Sequence, residues 1–238
     1  MKNKISKERI NKLVRASGLT ESEVLKEIQK QEKRTVAKIT DQDIYNNLEA
    51  WYKSSTRTNR KDGKNWYKDA QTFCKDISKK YKVDPYIVAS VVSALSPNNK
   101  WKRNKIDAEA LIGCYTSCKF TEKEIMQDVK VCTYDANKLK AWKILTQGKK
   151  ISSKSPKTHA FAMNVGLLSS DHITVDKHHL RACVCTPNDG IVNAVENCTA
   201  LQYRRVEAIT AKLAKRYRLK GFQMQAIIWL AIKQNWNR

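Results

Sequence analysis

Between Lys157 and Arg181 the chain reads KTHAFAMNVGLLSSDHITVDKHHLR. An amphipathic helical stretch gives way to a short polar loop, a β-branched pair, and Asp176 at the start of a further helix. A carboxylate that opens a helix sits among free backbone N–H groups at the positive end of the dipole. Hydrogen bonds to its charged form keep it ionised even when it is partly buried. Such a group can stabilise a developing cation or orient a water for attack. The plainer role for Asp176 is an N-cap and nothing more. Lys157 opens the preceding helix. Its amine can form a Schiff base if it is held partly neutral, or it can simply contact a phosphate. His178 follows Asp176 toward the same site, and Arg181 reads as structural or as a phosphate clamp. His179 faces another side of the helix and is expected at the surface. Asp176 and His178 lack the further ligands of a metal centre, so neither metal nor cofactor is expected.

A second constellation lies in LSPNNKWKRN. Ser96, Asn98, Asn99 and Asn104 offer donors and acceptors for a base edge or a sugar substituent. Trp101 offers a stacking plate or an apolar wedge. Turn and cap chemistry explains the asparagines equally well, and core packing the tryptophan.

The surface that carries these residues is strongly basic. Lys and Arg total 46 against 23 acidic residues, a formal net charge of +23. The excess runs from one end of the chain to the other, which favours polyanionic partners, nucleic acid first. No stretch approaches the roughly 18 consecutive apolar residues of a spanning helix. The start MKNKISKERINK has no apolar core, so no secretory signal is expected there and the location is read as cytoplasmic. The seven cysteines are odd in number and form no CxxC pair. They read as reduced and mostly core, without zinc or an iron–sulfur cluster.

Helical periodicity dominates, and Gly and Pro are few. Helices are expected at 6–17 and 21–37, split by Gly18 with Thr20 as cap, then at about 41–53. The basic segment Lys53–Lys64 is expected to be a loop before a helix at 65–81. Asp84-Pro85 opens a helix to Leu95 with almost no polar face, which belongs at a domain centre. Later helices fall at about 102–115, 121–129, 134–147, 157–166, 177–185, 199–217 and 221–235. The fold class is all-α: a helical hairpin over 1–38, accessory or DNA-contacting, and one domain over 39–238.

Four segments together resemble the helix-hairpin-helix DNA glycosylase superfamily, its endonuclease III branch most of all. They are DPYIVASVVSALSPNNKWKRNKIDAEALI from Asp84 to Ile112, TYDANKLKAWKILTQ from Thr133 to Gln147, the Lys157–Arg181 stretch, and the closing helices Val206–Ile232. Within the third, Lys157-Thr158, Asn164-Val165, Val175-Asp176, His178 and Arg181 match the family pattern. Two features depart from it. The glycine-rich hairpin is replaced by KKISSKSPK, where Ser152, Ser153, Lys154 and Ser155 would offer hydroxyl and ammonium donors to a DNA phosphate in place of backbone amides. The gap from Lys157 to Asp176 is one residue longer than in endonuclease III. The LSPNNKWKRN block and the shortened hairpin resemble those of phage-associated glycosylase relatives tied to hypermodified bases, among them α-glutamyl/putrescinyl thymine pyrophosphorylases and antiphage glycosylases.

The resemblance implies a monomeric DNA N-glycosylase acting on double-stranded DNA. It would flip out a bulky modified base and cleave its glycosidic bond with Asp176, and Lys157 would add possible lyase activity. Two alternatives stand beside it. One is a base-hypermodification enzyme of phage DNA synthesis. The other is a non-catalytic helix-turn-helix DNA-binding protein using residues 1–38.

Overall fold

The computed structural model describes residues 7–30, 34–169, 172–189, 194 and 197–236. Among them the chain forms twelve α-helices: α1 (Lys7–Ser17), α2 (Glu21–Lys30), α3 (Asp41–Ser54), α4 (Arg57–Tyr81), α5 (Pro85–Leu95), α6 (Trp101–Thr116), α7 (Glu122–Asp128), α8 (Asp135–Gln147), α9 (Pro156–Leu167), α10 (Lys177–Val184), α11 (Ala200–Arg216) and α12 (Gly221–Trp236). The only extended pairing among the described residues is an isolated bridge between Arg34 and Ala194. The all-α expectation therefore holds. No described helix is long and apolar enough to cross a membrane.

Local chemistry sets the helix starts. Thr20 and Glu23 exchange hydrogen bonds at the head of α2. Asp84 accepts from the N–H groups of Tyr86 and Ile87, with Pro85 in the first turn. The loop expected at Lys53–Lys64 is instead two residues long. Thr56 and Asn59 form a reciprocal capping box that starts α4 at Arg57. Gly63 of this stretch lies inside α4, against Ile227 of α12. A β-carbon there would meet Ile227 Cγ1 at 2.5 Å and Ile227 Cα at 2.7 Å. The second expected helix also ends early, at Lys30. Residues 31–33, which the expected helix 21–37 includes, lie outside the described residues. Arg205 of α11 binds the carbonyls of Val36 and Ile39, which fixes residues 36–39 as a strap with one 3-10 turn. The domain boundary expected after residue 38 falls inside this strap, whose Val36 is buried.

The helices enclose two hydrophobic cores. The first gathers α4–α9 around α5, whose Val88–Leu95 are all buried and which packs on α4, α6, α8 and α9. The second gathers α3, the residues before α10, and α10–α12. Helix α12 serves both, giving Phe222 and Ala226 to the first and Met224, Ile227 and Ile228 to the second. Burying one such aliphatic side chain contributes about 1.5–3 kcal/mol, so the two faces of α12 hold the halves in register.

Of the cysteines, Cys74, Cys183 and Cys185 are buried, Cys114 and Cys198 half-buried, and Cys118 and Cys132 exposed. The expectation of mostly core cysteines thus holds for fewer than half of them. Burial pushes the Cys74 thiol up to about 12, which makes it inert as a nucleophile.

Candidate active site

A cleft of about 780 Å³ opens where the two cores meet. That lies within the roughly 300–1,000 Å³ of small-molecule sites. One wall is the α5–α6 turn and the start of α6, with Ser96, Asn98, Asn99, Trp101 and Asn104. The opposite end is the start of α10, with Thr174, Asp176, Lys177 and His178. Trp66 and Tyr67 of α4, Phe161 of α9 and Trp229 of α12 complete it. Lys100, Lys157, Lys177 and Lys233 line it as exposed cations, and Asp176 is the only carboxylate in the lining among the described residues.

Asp176 is the N-cap of α10 and its Oδ1 accepts from the His179 N–H at 2.8 Å. Its Oδ2 takes no partner among the described residues, so capping uses one oxygen and leaves the other to the cleft. The segment before it is held from both sides. Asn164 of α9 donates to the carbonyls of Ser169 and His172 at 2.9 and 2.8 Å, and accepts from Thr174 Oγ1 at 3.0 Å. Tyr203 Oη of α11 accepts from the Val175 N–H at 3.1 Å and donates to the Ile173 carbonyl at 2.8 Å. Glu207 accepts from the Ile173 N–H at 3.2 Å. Side chains of α9 and α11 thus hold the backbone of this connection at several points, which preorganises the residue that ends it.

Of the two histidines, His178 lines the cleft as expected, whereas His179 does not reach the surface. His179 is fully buried and its Nε2 lies 2.9 Å from Thr210 Oγ1. Thr210 donates its own proton to the Val206 carbonyl, so the imidazole supplies the proton from Nε2 and Nδ1 carries none. Burial pushes its pKa down to about 4, against the opposing charge of Asp176. The expected surface position is therefore corrected: α10 is buried almost all round after its first turn, and His179 falls on the face covered by α11. His178 lines the cleft half-buried. Burial lowers its pKa below the ordinary imidazole value, Asp176 opposes that shift, and Arg181, Lys177 and Lys233 add to it.

Aromatic rings make the rest of the wall. Trp66 is the hub, with ring centroids 4.8 Å from Tyr67, 5.3 Å from Trp101, 5.8 Å from Trp229 and 5.9 Å from Phe161. The Lys233 ammonium sits 4.3 Å from the Trp229 centroid. Trp101 is packed within this cluster and against Phe73, so it is a plate in the wall and does not project as a wedge. Tyr67 is buried and donates to Gln225 at 2.9 Å. Burial raises its phenol far above the ordinary value, and the charge of Asp176 adds to the shift.

Asp176, Lys157 and all six expected pocket residues (Ser96, Asn98, Asn99, Trp101, Asn104 and His178) thus share one cleft. Lys157 is exposed within it. Ser152, Ser153 and Lys154 are exposed and Ser155 half-exposed in the turn that leads into α9, outside the cleft lining. Ser152 Oγ accepts from the Lys154 N–H there, so it shapes the turn locally. Arg181 is buried at 7% exposure, which leaves it no surface from which to clamp a phosphate. Trp66, Tyr67, Phe161, Thr174, Gln225 and Trp229 were not singled out from sequence. Each sits in a helix or strand-like run where an aromatic or polar residue reads as ordinary packing.

The fold and site define an all-helical protein with a lysine-rimmed, aromatic-walled cleft around one carboxylate. The chain matches a family of unknown function (DUF7178) over residues 30–236 and belongs to that family. No curated protein and no solved structure matches it.

Proposed function

We propose that this protein is a DNA glycosylase of helix-hairpin-helix type with a degenerate hairpin. It hydrolyses the N-glycosidic bond of a flipped-out, bulky modified base and leaves an abasic site, in a setting such as antiphage defence. The observation that carries the reading is Asp176: a preorganised carboxylate with one oxygen unpartnered among the described residues, lining a basic-rimmed cleft of aromatic rings. Departure of a base leaves a cationic, oxocarbenium-like sugar. A carboxylate beside C1′ lowers the energy of that charge, and the free oxygen can orient the attacking water. The rings of Trp66, Trp101, Phe161 and Trp229 suit a flat base out of its stack. The four lysines suit the phosphates on either side of it. The cleft volume leaves room for a substituent beyond the base itself.

The same geometry favours hydrolysis over strand-cleaving lyase chemistry. A Schiff-base lysine needs a desolvated amine. Lys157 stands exposed at the rim, where contact with phosphate suits it better. Incubation with a panel of naturally modified phage DNAs and with plain DNA, followed by mass spectrometry of released small molecules, tests the proposal. Free modified base with matching abasic sites is the expected result. No release from any DNA in the panel removes it.

A further inference from the structure

The outer face of α4 carries a charged feature separate from the cleft. Arg57, Lys61, Lys64, Lys68, Lys75 and Lys79 follow one another at steps of three, four or seven residues. Those steps return to one side of a helix with 3.6 residues per turn, so the six side chains start from a single stripe. All six residues are exposed, while Gly63, Tyr67, Ala70, Cys74 and Ile77 of the same helix are buried. Trp66 and Tyr67 line the cleft, and no member of the stripe does. From Arg57 to Lys79 the stripe runs about 33 Å, at 1.5 Å per residue.

These cations stand without counter-charges. Among the described residues none of the six makes an ion pair. Lys80, off the stripe, does pair, with Glu109 at 2.8 Å. Acidic groups are near at hand, because Asp62, Asp69 and Asp76 are exposed on the same helix. They recur every seven residues and form their own column, about 100° further round. Like charges three or four residues apart repel, so an unbroken row of one sign weakens the helix that bears it. A long, rigid row of this kind is complementary to a linear polyanion.

The neighbours of the stripe decide which polyanion. A helix that lies on a membrane sets apolar side chains beside its cations. Beside this stripe the exposed residues are Thr58, Asn65, Thr72 and the three aspartates, all polar or acidic. Duplex DNA instead asks only for cations along a line. It carries about one charge per 1.7 Å of axis and repeats every 34–36 Å or so, close to the length of the stripe.

We propose that the outer face of α4 is a second nucleic-acid surface, which holds the phosphate backbone of a duplex segment separate from whatever occupies the cleft. The chain thereby grips two segments at once. This surface does not require the cleft to cleave anything.

The test counts duplexes per chain. The full chain is titrated with an unmodified duplex of about 12 base pairs, roughly one helical turn, and the complexes are sized by analytical ultracentrifugation. Two duplexes per chain are expected at about 50 mM salt, with the second lost by about 200 mM. Replacing Lys61, Lys64, Lys68 and Lys75 together by Gln should leave one. All four are exposed, so the variant should keep its melting temperature. A control with the same loss of charge, Lys26, Lys119, Lys123 and Lys130 replaced by Gln on other exposed positions, should keep two. A single duplex on the parent chain overturns the proposal. So does a second duplex that survives in the stripe variant, or one that the control loses as well, since net charge alone then explains it. Stripe-dependent binding to anionic lipid vesicles, with duplex stoichiometry unchanged in the variant, assigns the face to a membrane and also overturns it. Two duplexes per chain without base release from any modified DNA uphold this surface and remove the glycosylase reading; release with only one duplex bound does the reverse.

Discussion

Replacing Asp176 by Asn separates two roles that one residue fills. As a helix cap, Asn is as good as Asp to within a few tenths of a kcal/mol, and losing the charge at the N-terminus costs a further 0.3–1 kcal/mol, roughly. The variant should therefore fold and melt within a few degrees of the parent. The effect on chemistry is much larger. A unit charge about 4 Å from a developing cation, at an effective dielectric of about 20, contributes about 4 kcal/mol. Removing it should slow base release about 1,000-fold. Asp176→Ala loses the cap as well, so it should show the same loss of activity together with about 1 kcal/mol of lost stability. The assay is single-turnover release of base from modified phage DNA, with DNA binding and thermal melting measured on the same preparations. Retention of release by Asp176→Asn to within a few-fold would refute the reasoning, because it would leave Asp176 as a cap alone.

Tyr203→Phe removes the hydroxyl that joins the Val175 N–H to the Ile173 carbonyl. It should cost about 1–3 kcal/mol of stability and slow release about 10- to 100-fold through displacement of Asp176, with DNA binding little changed. His179 binds its proton far more weakly folded, at about 4, than in the unfolded chain, at about 6.5. The unfolded state therefore takes up the proton first as pH falls. Stability is full above about pH 6.5 and declines toward pH 4 by about 3 kcal/mol, and melting curves of His179→Gln should show a shallower decline. Gly63→Ala gains about 0.5–1 kcal/mol of helix propensity, but it must push α12 off α4 at Ile227, for a cost of about 1–3 kcal/mol. Its melting temperature should fall by about 2–4 °C for each kcal/mol of net loss.

Local signals carried most of the secondary structure. Thr20, Asp84 and Asp176 cap helices through atoms within three residues of themselves, so their roles were legible without any knowledge of packing. The unbroken apolar face of α5 likewise announced a central helix. The net charge and the types of residue around Asp176 and Asn99 were equally open to reading.

What the sequence could not specify is which surfaces meet. The basic segment Lys53–Lys64 reads as a loop, yet most of it is helix, and its Gly63 is the point where Ile227 of α12 presses against α4. His178 and His179 are neighbours of equal standing in the chain, and only the position of α11 decides that one faces a cleft and the other a core. Trp66 and Trp229 lie far apart in sequence and resemble core aromatics, yet they form one wall because α4 and α12 pack together. The partners to which Asn99 and Asn104 donate, Asp107 and Val92, are brought to them by the packing of α5 on α6. Contacts within a helical turn are encoded by short spacings, whereas a cleft is made by helices distant in sequence whose relative placement follows from the sum of many small packing energies.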